Sequence, residues 1–383
     1  MRTLFIALGV MTAAVSSAQL STINSTQAVP RFWNDIPTSN LTFTNVWPGV
    51  VIDDQNVSRQ DGGYANRHAW FLSNDGGVNP YLFNTSFTYG FKVKLDVVGG
   101  ENKEAGVMLL NDLNFDHIFL IKTANNGEVA AFAGGFPFYS FTSQWGDQYV
   151  PGTTVDMSIT YFLDPVDNVN KVIYRFNNHF SGALPWANNE GFMGPDTKVG
   201  GYLQVVNDPN NPNNAGKAAF SDIYVCDANK ALTSAVVVKL GKNTAGNNRS
   251  LFKTDGDMYR MCKFVVPNQN AHPVNIEVEG TCNYSSLSAL AFHVNSRMAN
   301  SGQFGQTLDL YDWSTSSFSA TDTRTDPINT TLTIRDLAAT GALSRYLSPD
   351  QVLKARIRVK ATGVVATQLW CMEVDEANFT VTP

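Results

Sequence analysis

The sequence is poor in charge, in histidine and in long apolar runs. Its 383 residues are only 16% charged, with 27 Lys and Arg, 33 Asp and Glu and 5 His, and the formal net charge is −6. Soluble domains typically carry about 25% charged residues. Disordered chains combine low hydrophobicity with high net charge, whereas this chain is 43% hydrophobic. The composition therefore predicts a folded protein whose surface polarity comes mainly from Asn, Ser, Thr and Gly.

These deficits exclude several classes of function. A chain with net negative charge lacks the electrostatic attraction for nucleic acid or for an anionic membrane, so we expect neither as a partner. After the first 18 residues, no apolar run approaches the length of about 20 residues that spans a bilayer. The sequence has no Cys-x-x-Cys pair, Gly-x-Ser-x-Gly elbow, His-Glu-x-x-His motif or phosphate-binding glycine loop. Zinc, nucleophilic and nucleotide chemistry therefore lack their usual sequence support.

Residues 1–18 have the pattern of a secretory signal peptide. Arg2 precedes a short apolar run at 4–15, and the small residues Ser16-Ser17-Ala18 form a cleavage site. We place cleavage after Ala18, so that the mature chain begins at Gln19. This predicts a secreted protein, extracellular or periplasmic.

The cysteines agree with an oxidising compartment. Four are present, at Cys226, Cys262, Cys282 and Cys371. An even number in an exported chain predicts one or two disulfides, and the sequence leaves all three pairings open.

The pattern of apolar residues predicts an all-β protein. They recur at period 2 or in short runs bounded by Gly, Asn, Asp and Pro, as in antiparallel strands joined by turns. Asn125-Asn126-Gly127 has the composition of a tight hairpin turn. We divide the chain into an N-terminal segment at 19–29, a first module at 30–228 and a C-terminal β-sandwich module at 229–383. In the first module, the strands nearest the candidate site are predicted at 129–133, 138–142 and 171–176.

Three segments of the first module resemble the concanavalin A-like lectin and glucanase superfamily, in particular laminin G-like modules of bacterial secreted proteins. They are a strand at 91–96, the strand at 104–109 that follows it, and the closing strand at 219–225. The resemblance implies a jelly-roll sandwich over 30–228. It also implies one of the functions that such modules have, namely glycan binding, protein binding or hydrolysis. The second module resembles the C-terminal β-sandwich modules of bacterial secreted proteins, without a family that we can name.

An aromatic segment supplies the candidate ligand site. Sugar rings stack on flat aromatic side chains, so a lectin-like site needs exposed Trp or Tyr with amides nearby. Trp145 and Tyr149 lie beside Gln144, and Trp186 lies beside Asn188 in a Gly- and Asn-rich loop. We predict these five residues as the ligand site, with half-buried packing as the alternative role of the aromatic ones.

A metal site has weaker support. Asn111, Asp112, Asn114 and Asp116 offer the oxygen ligands that Ca²⁺ prefers. The segment is short and reads better as a turn between two strands. We expect no cofactor, with Ca²⁺ at these four residues as the alternative.

Two charged strands in the second module have both a structural and a functional interpretation. Glu373-Val374-Asp375-Glu376 resembles a glucanase motif, but Glu376 points to the opposite face from the other two acids, which favours a structural strand. Alternate residues at 354–360 are cationic. They predict either a surface that grips an anionic polymer or, preferably, a solvated face balanced by the strand that carries Glu277 and Glu279.

The sequence therefore favours a secreted, non-catalytic protein that binds an extracellular glycan or cell-surface ligand through its lectin-like module. One alternative is a structural or adhesive protein of the cell envelope, which would display an exposed apolar patch. The other is a glycoside hydrolase with an unrecognised carboxylate pair.

Overall fold

The computed structural model describes residues 20–84, 86–99, 102–111, 116–124, 126–132, 136–164, 167–186, 197–263, 272–362 and 369–383. The predicted signal peptide at 1–18 lies outside these residues. The chain divides into two compact units, Met1–Ala228 and Asn229–Pro383. Within the described ranges, no helix is long and apolar enough to cross a bilayer.

The described part of the first unit consists almost entirely of strands. They are β1 (Ser25–Asn34), β2 (Asn40–Val46), β3 (Gly49–Gln55), β4 (Ala65–Ser73), β5 (Leu82–Phe83), β6 (Phe87–Val98), β7 (Lys103–Leu110), β8 (Asp116–Lys122), β9 (Val129–Phe132), β10 (Tyr139–Ser140), β11 (Thr154–Leu163), β12 (Asn170–Phe176), β13 (His179–Phe180), β14 (Leu184–Pro185), β15 (Thr197–Val206) and β16 (Ala215–Cys226). One short helix, α1 (Phe141–Trp145), follows β10.

These strands form two antiparallel sheets. Sheet A has the order β1-β4-β15-β7-β8-β9-β10, with β5 beside β15, and sheet B has the order β13-β12-β11-β6-β16-β3-β2, with β14 beside β12. The sheets pack face to face because alternate residues of each strand are apolar. Trp70 of sheet A meets Phe91 and Phe220 of sheet B at ring distances of 6.0 and 5.4 Å. The result is the predicted jelly-roll sandwich.

A buried polar contact also joins the two sheets. His68 Nε2 of β4 lies 2.9 Å from Asp54 Oδ2 of β3, and both side chains are fully buried. His68 Nδ1 accepts a hydrogen bond from the backbone N–H of Arg31, so Nε2 is the donor to Asp54. Burial alone would raise the pKa of Asp54. Hydrogen bonds from His68, Ser39 and Asn66 outweigh it and hold that pKa below its ordinary value.

The second unit is a further pair of antiparallel sheets. Its strands are β17 (Lys230–Ala231), β18 (Thr233–Leu240), β19 (Lys242–Ala245), β20 (Tyr259–Cys262), β21 (Val274–Thr281), β22 (Ala289–Met298), β23 (Phe304–Asp312), β24 (Ser317–Ile328), β25 (Thr333–Ala338), β26 (Val352–Ala361) and β27 (Cys371–Thr382). Two 3₁₀ turns lie at Asn248–Leu251 and Leu343–Tyr346.

Sheet C has the order β19-β20-β27-β22-β25, with β17 beside β27, and sheet D has the order β18-β21-β26-β23-β24. Their inner faces meet. Across this contact, Gln306 of sheet D donates a hydrogen bond of 2.9 Å to Ser296 Oγ of sheet C. A disulfide joins Cys262 and Cys371, which are paired neighbours on β20 and β27. Cys226 and Cys282 are buried thiols. The prediction of at least one disulfide is confirmed.

The structure differs from the predicted strand at 138–142. The predicted strand is reduced to the two residues of β10, and the chain turns into α1. Ser140 caps the helix by accepting a hydrogen bond from Ser143 N, and Gly146 ends it in the left-handed conformation with φ 75°. These local caps override the β propensity of the aromatic residues.

Candidate functional site

The helix α1 presents Trp145 at the surface of the first unit. Phe141 at the other end of the helix is fully buried and anchors it. Trp145 occupies the last helical position, before Gly146 turns the chain away. Its side chain is 52% exposed. The helix therefore places a large flat apolar ring in contact with water.

Three neighbours fix the orientation of this indole. The His179 ring lies parallel to it, with the ring centroids 4.4 Å apart and 5° between the planes. The indole Nε1–H donates a hydrogen bond of 2.9 Å to the Tyr139 hydroxyl. His179 Nδ1 in turn lies 2.8 Å from Asp147 Oδ2. The histidine covers one face of the indole, and the side chain nevertheless stays 52% exposed.

Polar groups border this ring. Gln144 is exposed, and among the described residues neither its amide nor Asp147 Oδ1 has a hydrogen-bond partner. An amide donates and accepts, whereas a carboxylate only accepts, so the pair suits the hydroxyl groups of a sugar. We call Tyr139, Gln144, Trp145, Asp147 and His179 the Trp145 platform.

Tyr149, predicted as part of the site, belongs instead to the core. It is 2% exposed. Its hydroxyl accepts a hydrogen bond of 2.7 Å from Leu95 N and lies 2.9 Å from the carbonyl oxygens of Leu95 and Thr153. Its backbone packs on Gly127, where an added Cβ would come within 2.2 Å of Tyr149 O. The expectation of an exposed Tyr149 is therefore corrected, because its hydroxyl is needed to satisfy buried backbone groups.

Trp186 is also a core residue. It is 6% exposed and packs edge-on against Phe136, His117 and Tyr161 at ring distances of 5.1 to 5.6 Å. The apolar contacts explain its burial, so it presents no face to a ligand. Asn188, its predicted companion, lies outside the described residues.

The residues considered for calcium have protein partners where they are described. Asn111 is buried, with Nδ2 3.5 Å from His117 Nε2. The Asp116 carboxylate is paired with Arg67. Asp112 and Asn114 lie outside the described residues. In the described part of the chain, no group of three or more His, Cys, Asp or Glu side chains is placed to hold a metal ion.

A second polar group lies on the face of sheet A that points away from sheet B. One cross-strand row runs over five neighbouring strands and consists of Trp33, Arg67, Gln204, Glu104 and Lys122. The Arg67 guanidinium lies 3.9 Å from the centroid of the Trp33 ring. Glu104 is 7% exposed and accepts a long hydrogen bond of 3.4 Å from the Tyr202 hydroxyl. Burial raises the pKa of Glu104 above its ordinary value, against the opposing charges of Lys122 and Arg67.

The chain is similar to solved structures of carbohydrate-active enzymes and of carbohydrate recognition domains. They include alginate lyase A1-II′ (9% identity, TM-score 0.34, covering 54% of this chain and 95% of that one). A GH16 enzyme of a Bacteroides ovatus mixed-linkage glucan locus, in complex with a product, has 9% identity and a TM-score of 0.34, covering 53% and 94%. The carbohydrate recognition domain of Emp47p has 12% identity and a TM-score of 0.31, covering 54% and 98%. No family model and no curated sequence matches the chain. The first unit is a two-sheet antiparallel sandwich by its own strand order, and nothing about function follows from the likeness to these structures.

Gln144 and Trp145 of the Trp145 platform are among the residues that the sequence predicts, whereas His179 and Tyr139 are not. His179 follows Trp145 by 34 residues and reaches it because the β12–β13 hairpin turns back at Asn177, where φ is 49°. A turn-forming Asn pair before His179 is present in the sequence, but nothing in it says which ring the histidine meets. The contact is a product of the sheet order.

Proposed function

We propose that the chain is an exported carbohydrate-binding protein whose glycan ligand stacks on the exposed indole of Trp145. The observation that carries the proposal is the exposed indole held rigidly between Tyr139 and His179. A ring that is already fixed loses little conformational entropy on binding, so more of the stacking energy remains as affinity. Gln144 and Asp147 would bind hydroxyl groups at the edge of the stacked sugar.

The charges around the platform indicate a neutral glycan. Asp147 is the only acid of the platform and its partner is His179, and no Lys or Arg belongs to the platform. The first unit as a whole has 20 Asp and Glu against 12 Lys and Arg, so an anionic sugar would be repelled. A shallow open surface predicts weak binding, with a free energy of about 4 to 8 kcal/mol, in the millimolar to micromolar range.

Glycan-array screening of the mature protein, with and without calcium, followed by titration of the best neutral glycan, tests the proposal. Trp145→Ala should weaken binding by about 1 to 3 kcal/mol, because the stacked apolar area is lost. His179→Ala should weaken it less, because the indole stays but loses its support. Trp33→Ala is the matched control, since Trp33 is an exposed tryptophan of the same unit outside the platform. Equal binding by the Trp145 variant and the parent, or a loss confined to the Trp33 variant, would refute the proposal.

A second candidate function is glycoside hydrolysis on the outer face of sheet A. The observation that favours it is Glu104, a buried acid with a raised pKa beside a tyrosine hydroxyl, as a general acid requires. Asp116 is a second carboxylate on this face but is paired with Arg67. Under this alternative, Glu104→Gln abolishes turnover of a glycan substrate while Trp145→Ala does not. Glu373→Gln is the control, because Glu373 is bound by Arg297 in the second unit.

A further inference from the structure

The outer face of sheet D carries a row of cations on its central strand. In β26 the apolar residues 353, 355, 357 and 359 are buried, so Lys354, Arg356, Arg358 and Lys360 project from the opposite face. Alternate residues of a strand are spaced by about 6.5 to 7 Å. The row therefore spans the length of β26, and its two ends can be compared.

The Lys354 end of the row is neutralised. Lys354 Nζ lies 2.8 Å from Glu277 and 3.3 Å from Glu279 on the neighbouring strand β21. Lys239 on β18 also reaches Glu277, at 3.7 Å. Two cations thus face two carboxylates, as the sequence predicted for a balanced solvated face.

The Arg358 end has more positive than negative charge. Arg356 and Arg358 share the single carboxylate of Asp309. Arg356 Nε lies 3.0 Å from Oδ2, and Arg358 binds both oxygens, with Nε 2.9 Å from Oδ2 and Nη2 2.9 Å from Oδ1. Asp309 is 1% exposed and also accepts a hydrogen bond from Thr323. Lys360 is exposed and has no ion pair among the described residues. Among the residues that the structure describes, this end of the face therefore has three cations and one carboxylate, an excess of two positive charges.

His272 lies next to this end, and its pKa is sensitive to the excess positive charge. Burial lowers its pKa, and the charges of Arg358 and Lys360 lower it further, to about 4, with Arg356 acting in the same direction and Asp309 opposing. A neutral imidazole beside the two cations can still donate a hydrogen bond to an anion.

We propose that Arg358 and Lys360, supported by His272, bind the carboxylate or sulfate groups of an acidic polysaccharide. The second unit has 15 Lys and Arg against 13 Asp and Glu, so it lacks the net negative charge of the first unit. Nucleic acid places one phosphate charge about every 1.7 Å along a duplex and needs many cations for firm binding. Two uncompensated cations suit a polymer that carries separated charges. The Nε and Nη2 groups of Arg358 already bind Asp309, so its Nη1 group is the one that would donate a hydrogen bond to a ligand carboxylate or sulfate.

The binding test uses the full mature chain with two probes, a short oligogalacturonate and dextran sulfate. Lys360→Gln should reduce affinity about two- to fivefold, and Arg358→Gln with Lys360→Gln should reduce it more. Lys360 is exposed, so its variant will fold even where the double variant is destabilised. Lys242→Gln is the matched control, because Lys242 is an exposed cation of sheet C. Affinity should fall as salt is added.

NMR titration of His272 provides a readout that does not depend on the variants. Binding of either anionic probe should raise the pKa of His272, because an anion offsets the two cations, while a neutral cello-oligosaccharide should leave it unchanged. An unshifted His272 together with equal affinity of the parent and Lys360→Gln overturns the proposal. If single-stranded DNA binds more tightly than an oligogalacturonate of equal charge, the ligand is a nucleic acid and the proposal of a polysaccharide is wrong.

Discussion

The two units are both antiparallel sandwiches, but they differ in surface charge and in their internal cross-links. The first has 20 acidic and 12 basic residues and the second has 13 and 15. A fully buried Asp54–His68 contact joins the sheets of the first unit. A disulfide between neighbouring strands closes a separation of 109 residues in the second. Two antiparallel sandwiches in one chain are therefore stabilised by different kinds of internal contact, a buried hydrogen bond in the first and a disulfide in the second.

The largest effect is expected from breaking the contact between sheets A and B. Asp54→Ala leaves His68 and Asn66 without their buried acceptor, so we expect the free energy of unfolding of the first unit to fall by about 3 to 5 kcal/mol. Asp53→Ala is the control, since Asp53 is partly exposed and lies 3.7 Å from Lys217, and it should cost less than about 1 kcal/mol. Hydrogen exchange resolved by segment should locate the loss in residues of the first unit.

The Asp54–His68 contact should make the stability of the first unit depend on pH. The pKa of Asp54 is lowered in the folded state, so its stabilisation is present above the ordinary carboxyl pKa of 3.8 and is lost as the pH falls through the folded value. Acid unfolding of the parent should therefore be steeper than that of Asp54→Ala in this range. Parallel acid titrations of the two proteins would contradict the assignment.

Removal of the disulfide should affect only the second unit. Cys262→Ser with Cys371→Ser removes a constraint on a long loop of the unfolded chain, and we expect a loss of about 2 to 5 kcal/mol. Chemical denaturation with segment-resolved exchange measures it. Reducing agent should destabilise the parent by a similar amount and leave the double variant unchanged. Equal losses of stability in both units would show that the disulfide and the Asp54–His68 contact do not act independently.

A smaller effect is expected at Lys103, which is buried in the first unit and donates to Asn214 Oδ1. Burial lowers the pKa of Lys103 from 10.5 to about 8. The unfolded chain therefore binds more protons between pH 8 and about 10.5, and stability rises with pH in that window. Lys103→Met should be more stable than the parent near pH 7, by about 1 to 3 kcal/mol, with an advantage that shrinks toward pH 10. A pH-independent difference would contradict the lowered pKa.

Strands with a regular alternation of apolar and polar residues could be predicted from the sequence, and irregular strands could not. Strands with one buried face, such as β21 and β26, were predictable because their apolar residues alternate strictly. The strand β2 was not, because only Leu41 and Phe43 of its seven residues pack against the core, and two apolar positions are too short a pattern to mark a strand.

The candidate site, too, could be predicted only in part. Composition and neighbouring amides were enough to single out Trp145 and Gln144, but the same signal selected Tyr149 and Trp186, which are buried. An aromatic ring beside polar residues has the same local sequence whether it faces the core or water. Its exposure depends on which strand or helix turn lies opposite, and that is a long-range property.

The sequence by itself determined the all-β class, the turn chemistry and the apolar faces, because these depend on the period-2 alternation of neighbouring residues. Asn126 and Gly127, for example, both adopt the positive φ that their turn requires, 58° and 78°. Only the tertiary structure decided that His179 supports Trp145, that two arginines share Asp309, and that Cys262 pairs with Cys371. Each of these contacts joins residues that are distant in sequence, and the register between strands, rather than local preference, brings their side chains together.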